Sequence, residues 1–424
     1  MDGRRAVEAI WRIESARIVG ALARYTGDFA LAEDLAQESL AEALVSWPRE
    51  GAPRNPAGWL LTVGRRRAVD GFRRRAVQDD RYAALARDLG EGGATSGAPA
   101  PREPPDGDVL WDPDQIDDDV LALAFIACHP VVSREARVAL ALRVLGGLTS
   151  DEIARAFLVP TATVQARITR AKKTLAAARV PFEVPPPQDR PARIGSVLSV
   201  VYVIFTEGST ATSGERWIRT DLAHEAVRLA RVLARLLPHE PEVLGLLALL
   251  ELTAARFPAR TGPSGEPVLL EDQDRARWDR AAIGRGRAAL TSAARVGRGL
   301  GPYGLQAAIA ECHATAPSVE QTDWPRIVLL YDALGRLAPS PVVDLNRAVA
   351  VSMAESPAAA LTIVDGLAAT PEFRDSHLLP AVRGELLTRL GRPVEAREAL
   401  GLAVERCGNA RERELLERKR DALD

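Results

Sequence analysis

The chain has 424 residues, 47% hydrophobic and 26% charged, the make-up of a globular protein of two or three domains. Its net charge of −2 speaks against a protein that simply coats nucleic acid. Cys128, Cys312 and Cys407 lie far apart with no CxxC or Cys/His spacing, so neither a disulfide scaffold nor a metal site is expected, and no cofactor is implied. No apolar run of about 18 residues could cross a membrane. The first residues lack the apolar core of a leader, so a cytoplasmic location is expected.

The first 85 residues read as helices. Ala16–Ala23 and Leu31–Val45 carry apolar residues at three- and four-residue spacing, and Asp28 is placed to cap the second helix. Trp47-Pro48 is expected to end it. A loop with Gly51, Pro53, Asn55 and Pro56 follows, then a third helix from about Ala57 to Arg75.

Charge then swings sharply. Arg54–Arg75 holds seven arginines and one acid, whereas Asp88–Asp119 holds ten acids and one base. Of the 55 basic residues only Lys172, Lys173 and Lys419 are lysine, so the abundance of arginine says little and its placement says more. The acidic stretch is rich in Gly, Pro and Ser, and residues 86–118 are expected to form a flexible linker.

Helices resume at Val120–Ala127 and Ser133–Leu145, with Gly146-Gly147 as a break. Thr149 and Glu152 have capping-box spacing, and Thr161 is expected to cap a longer helix reaching about Ala178. This unit, residues 119–183, is a short helix, a tight turn at 158–160 and a long helix: a helix-turn-helix. Val164, Ile168, Ala171 and Leu175 form its core stripe. The far side offers Gln165 and Arg167 to base edges and Arg170, Lys172 and Lys173 to phosphates, with Thr161 and Thr163 beside them as further DNA contacts. An ordinary helical hairpin with a solvated basic face has the same pattern.

A Pro-rich linker, 184–192, leads to residues 193–424, which read as mainly helical; only Val197–Phe205 is β-branched enough to suggest a strand. Ser356-Pro357-Ala358-Ala359-Ala360 recurs 36 residues later as Arg392-Pro393-Val394-Glu395-Ala396, with Val364 and Leu400 in matching places. That spacing suits tetratricopeptide-like hairpins. The segment holds 29 basic and 30 acidic residues and shows no basic face or catalytic cluster. The expected fold class is thus all-α: two small helical domains plus a larger helical-hairpin domain.

Two further segments complete the pattern. Trp59 to Arg75 can turn Trp59, Val63 and Val69 inward and its arginines outward, towards a DNA backbone or simply towards water. Acids at 33, 34, 38 and 42 punctuate an otherwise apolar helix, a surface suited to a basic protein partner or to solvent.

In this order the three segments resemble bacterial RNA polymerase sigma factors of the extracytoplasmic-function class, across residues 5–180. Asp34-Leu35-Ala36-Gln37-Glu38 resembles the motif that grips the β′ clamp of core polymerase, which implies Asp34, Leu35, Gln37 and Glu38 as contacts. Pro56–Arg75 resembles the promoter-melting segment and implies −10 contacts by Asn55, Trp59, Arg65, Arg66, Arg73 and Arg74. Thr149–Lys173 resembles the −35 reader, whose domain rests on the β flap. Arg66, Gly71 and Gln165 replace the common Asn, His and Lys, which bears on promoter sequence.

A narrower resemblance, carried by Ala127-Cys128-His129-Pro130 and 154–160, is to the subgroup with a long tetratricopeptide-like extension. Phe205-Thr206-Glu207-Gly208 resembles its Phe-Asn-Glu-Gly motif and implies Phe205, Glu207 and Gly208 as marks of the extension.

The implied function is promoter-directed transcription initiation without covalent chemistry, with promoter DNA and core polymerase as partners and no membrane. The acidic linker either fills a basic channel of the polymerase or is a passive tether. The extension is expected to modulate activity, for instance by docking on the sigma domains. The alternative is a one-component helix-turn-helix regulator with a helical sensor domain.

Overall fold

In the computed structural model, residues 3–88, 113–157, 159–209, 219–263, 266–297 and 299–423 are described. They form eighteen α-helices and no strand, apart from one isolated bridge between Thr261 and Pro267. The chain divides into two units, Met1–Val200 and Val201–Asp424.

In the first unit α1 (Gly3–Thr26), α2 (Phe29–Glu50) and α3 (Pro56–Asp88) pack on one another. The Asp28 carboxylate accepts from the amides of Ala30 (2.8 Å) and Leu31 (3.1 Å), capping α2 as the sequence suggests. Pro48 does not end this helix. It lies in the last turn, where its missing N–H costs one hydrogen bond, and the helix runs to Glu50 before Gly51 turns away at φ +86°. Helix α3 also outruns the expected end at Arg75, because the Ala- and Leu-bearing stretch 83–86 has high helix propensity.

Helices α4 (Pro113–Ala127), α5 (Arg134–Val144), α6 (Ser150–Phe157) and α7 (Thr161–Ala177) make the second group. Residues 113–118, expected in the linker, belong to α4: Pro113 opens it. The rest of the acidic stretch, 89–112, lies outside the described residues. The capping box forms as expected: the Glu152 amide donates to Thr149 Oγ1 (3.1 Å) and the Thr149 amide to Glu152 Oε2 (2.8 Å). Thr161 does not cap α7. Pro160 occupies the cap position, and Thr161 Oγ1 donates instead to Asp151 (2.8 Å). Val164, Ile168, Ala171 and Leu175 are all buried.

The division between units falls inside α8 (Arg190–Ser209), so Val197–Phe205 is helix rather than strand. Its start belongs to the first unit. Arg193 donates to Phe125 O (2.8 Å), Ser196 Oγ to Cys128 O (2.6 Å) and Arg137 to Ser196 Oγ (2.7 Å), satisfying carbonyls at the end of α4.

The second unit continues with α9 (Thr220–Leu236), α10 (Pro241–Ala254), α11 (Arg280–Val296), α12 (Pro302–Thr315) and α13 (Trp324–Leu337). It ends with α14 (Pro341–Ala354), α15 (Pro357–Gly366), α16 (Leu378–Arg389), α17 (Pro393–Arg406) and α18 (Ala410–Asp421). From α9 onwards successive helices pack on each other. The 36-residue recurrence is visible in the packing. Pro357 and Pro393 each open a helix, Ala360 and Ala396 are both fully buried, and Val364 and Leu400 lie a turn beyond at equivalent buried places.

Candidate functional site

The acidic row on α2 is fully engaged within the first unit. Glu33 is 3% exposed, and a buried carboxylate needs a cation. It has two: Arg143 Nε of α5 at 3.1 Å and Lys172 Nζ of α7 at 2.5 Å. Lys172 also donates to Asp34 Oδ1 (2.6 Å). Burial pulls the Lys172 ammonium down, but the Glu33 and Asp34 carboxylates outweigh it and hold its pKa above the ordinary lysine value. Further along α2, Glu38 and Glu42 accept from Arg67 of α3 (2.9 and 2.7 Å), and Arg66 reaches Glu42 (3.2 Å).

A second set of contacts joins α1 to the helix-turn-helix. Arg12 pairs with Glu152, the capping-box acid. Gly147, at φ +65°, sits so close to α1 that a Cβ there would meet Ser15 Oγ at 2.6 Å and the Arg12 backbone at 3.3 Å. Only glycine combines that backbone angle with that approach. Arg24 of α1 also pairs with buried Asp119 of α4 (3.2 Å). The α1–α3 group is thus shut against the α4–α7 group.

Asp119 makes part of this closure dependent on pH. Burial raises its pKa to about 6, against the pull of Arg24. The folded state therefore binds this proton more tightly than the unfolded chain. The associated stability is complete below the unfolded value near 3.8 and is lost as pH rises through about 6. Asp119→Asn keeps the shape and removes the penalty. It is expected to stabilise the first unit by about 2 kcal/mol at pH 7.5 and by little at pH 4. Melting curves of both proteins at the two pH values check this; an Asn variant that melts lower at pH 7.5 contradicts it.

Three families match the chain: "Sigma-70 region 2" over residues 12–77, "Sigma-70, region 4" over 122–175, and a family of unknown function (DUF6596) over 193–294. The two sigma matches fall on the two helix groups just described. The chain belongs to the ECF-type sigma factors, with a C-terminal extension. Uncharacterized protein R00370 of Rhizobium meliloti (strain 1021) is 44% identical over 417 residues, 96% of this chain and 93% of that protein. No solved structure matches the chain. As a sigma factor it serves promoter recognition by RNA polymerase, and its family implies binding of core polymerase and promoter DNA. No helix among the described residues is long and apolar enough to cross a membrane.

In region 2 of this sigma factor, Asp34 and Glu38 are exposed but ion-paired, Gln37 is half-buried, and Leu35 is buried. Leu35 lines a cleft of about 640 Å³ with Leu31, Glu38, Arg66, Arg67, Asp70, Gly71 and Arg74. It is reached through that cleft and not as a surface knob. Asn55 Oδ1 accepts from the Gly58 amide (3.0 Å) and so starts α3. Trp59 packs edge-on against Trp47, ring centroids 5.4 Å apart. Arg65 lies over the Tyr25 ring (5.1 Å), while Arg73 and Arg74 are exposed.

In region 4 of the sigma factor, Gln165, Arg170 and Lys173 are exposed, and Thr161, Thr163 and Arg167 are half-buried. Lys172 departs from the reading of a phosphate contact open to solvent: its side chain is 13% exposed and held by α2. Arg143, Arg12, Ser15 and Gly147 were not legible as interface residues. The one available signal is Glu33, an acid on the buried stripe of α2.

In the extension, Phe205 is buried and stacks on Phe257 (6.0 Å), and Gly208 lies against Ala223 of α9. Glu207 is half-buried.

Proposed function

We propose that the free protein is an autoinhibited sigma factor, in which the polymerase-binding face of region 2 and the DNA-reading helix of region 4 neutralise each other. The observation that carries this is Lys172 Nζ, 2.6 Å from Asp34 Oδ1 and 2.5 Å from Glu33 Oε2. Asp34, Gln37 and Glu38, with Leu35 behind them, would grip the β′ clamp. Region 4 would rest on the β flap. Binding polymerase at Asp34 then releases Lys172.

In the open form Asn55, Trp59, Arg65, Arg66, Arg73 and Arg74 face the melted −10 element, where base capture has an unstacking cost of a few kcal/mol. Thr161, Thr163, Gln165 and Arg167 face −35 base edges, with Arg170, Lys172 and Lys173 on the phosphates. Two weak modules on one complex reinforce each other through effective concentration. The protein works in the cytoplasm, performs no catalysis of its own, and its extension modulates activity.

In vitro transcription with core polymerase on a panel of promoters tests the reading. Specific initiation that depends on both elements is expected. Tight operator binding without polymerase, and no initiation, would instead favour the one-component regulator. Truncation after Ser209, which keeps α8 intact, is expected to change transcript yield; an unchanged yield and response remove the extension's regulatory role.

A further inference from the structure

In the second unit, three helix ends bring metal-ligating atoms together. His377 caps the start of α16, Cys407 caps the end of α17, and Glu412 lies in the first turn of α18. Their ligating atoms all fall within 4.8 Å of one another, the one such His/Cys/Asp/Glu group among the described residues. No spacing rule finds it, because the residues are 30 and five positions apart.

The group is built rather than accidental on two grounds. Cys407 is 1% exposed, and the acid that faces it is fixed by α18's cap: Asn409, also 1% exposed, accepts from the Arg411 and Glu412 amides (3.0 and 3.2 Å). His377 Nε2 is buried and has no hydrogen-bond partner, although it lies 3.2 Å from Glu412 Oε1. Two nitrogen or oxygen ligands about 2.0 Å from a tetrahedral zinc stand roughly 3.3 Å apart. The His–Glu separation already matches that, and the thiol, which now donates to Asn409 O (3.5 Å), would give up that bond to close.

We propose that His377 Nε2, Cys407 Sγ and one Glu412 carboxylate oxygen bind a single zinc ion, with the fourth position open to water. A borderline-soft divalent ion suits a mixed N, S, O set. Binding releases the thiol proton, and thiolate plus carboxylate then balance the two positive charges, so the filled site is neutral and tolerates burial. The ion would pin α16, α17 and α18 together at the end of the helical array.

The test uses the full chain, stripped with chelator and equilibrated with zinc chloride, then desalted and assayed for metal. One zinc per chain is expected, falling at least tenfold in His377→Gln and Cys407→Ser but not in Cys128→Ser or Cys312→Ser. Cobalt in place of zinc is expected to give a thiolate charge-transfer band that Cys407→Ser abolishes. If Cys407→Ser misfolds, His377→Gln decides, since its residue is partly exposed: zinc should raise the melting temperature of the parent and leave this variant unmoved. Zinc retained equally by the His377 variant, or none bound by the parent, overturns the proposal and leaves a simple His–Glu pair.

Discussion

Lys172→Glu opens the free sigma factor. The parent lysine lies between Glu33 and Asp34 with its side chain 13% exposed, and Glu33's is 4% exposed. Reversing its charge puts a third carboxylate beside them and leaves Glu33 with Arg143 alone. Disrupting a buried pair of this kind costs about 3–5 kcal/mol, which shifts a closed-to-open equilibrium by roughly a hundredfold or more. A polymerase that binds only the open form sees its apparent affinity reduced by the fraction that is open. The variant should therefore bind core polymerase at least tenfold more tightly, although its −35 affinity should fall if Lys172 makes the phosphate contact proposed above. Its radius of gyration in solution should rise. Adding Asp34→Lys restores one of the two pairings in reverse and should bring the compact size part of the way back, a cycle that isolates the Asp34–Lys172 pair from the rest of the interface. Unchanged size and unchanged or weaker polymerase binding contradict the prediction.

Gly208→Val destabilises the extension while sparing the sigma regions. A Cβ at Gly208 would lie 2.4 Å from the Ala223 amide nitrogen and 2.8 Å from its Cα. These are backbone atoms of a packed helix and cannot step aside as a flexible side chain could. Gly208 O also accepts the Arg219 amide at 2.7 Å, which sets the start of α9. Overpacking usually costs about 1–3 kcal/mol, and a clash with backbone belongs at or above the upper end. For a unit of this size about 3 kcal/mol is roughly a 10 °C fall in melting temperature. Calorimetry of the full chain checks it: the fall should be confined to one transition. Equal shifts in every transition, or none, contradict it.

These two sites also mark how far the sequence could be read. The helices were legible because their signals are local: Asp28 as a cap, Thr149 and Glu152 as a box, the stripe Val164, Ile168, Ala171 and Leu175. The Phe205–Gly208 motif was legible as a family mark but not as packing, since nothing local says that Ala223 will touch it. Long-range pairing was hidden for the same reason. Lys172 looks like one more cation on a basic face, and its partner Asp34 is 138 positions away. Glu33 was the clue, being an acid at a helix position flanked by buried Ala32 and Ala36. Thr161 shows the opposite error: the residue type fits a cap, but proline already held that place.

The closure of region 2 on region 4 is most directly tested by proximity. Ala30 and Ala176 line one cleft of about 350 Å³ with Phe29, Lys172 and Leu175, and the three native cysteines are buried. Ala30→Cys and Ala176→Cys can therefore be labelled together with pyrene. Excimer emission is expected from the free protein and should disappear when core polymerase is added. Absence of excimer in the free protein, or its persistence in the polymerase complex, would contradict a sigma factor that is shut until polymerase opens it.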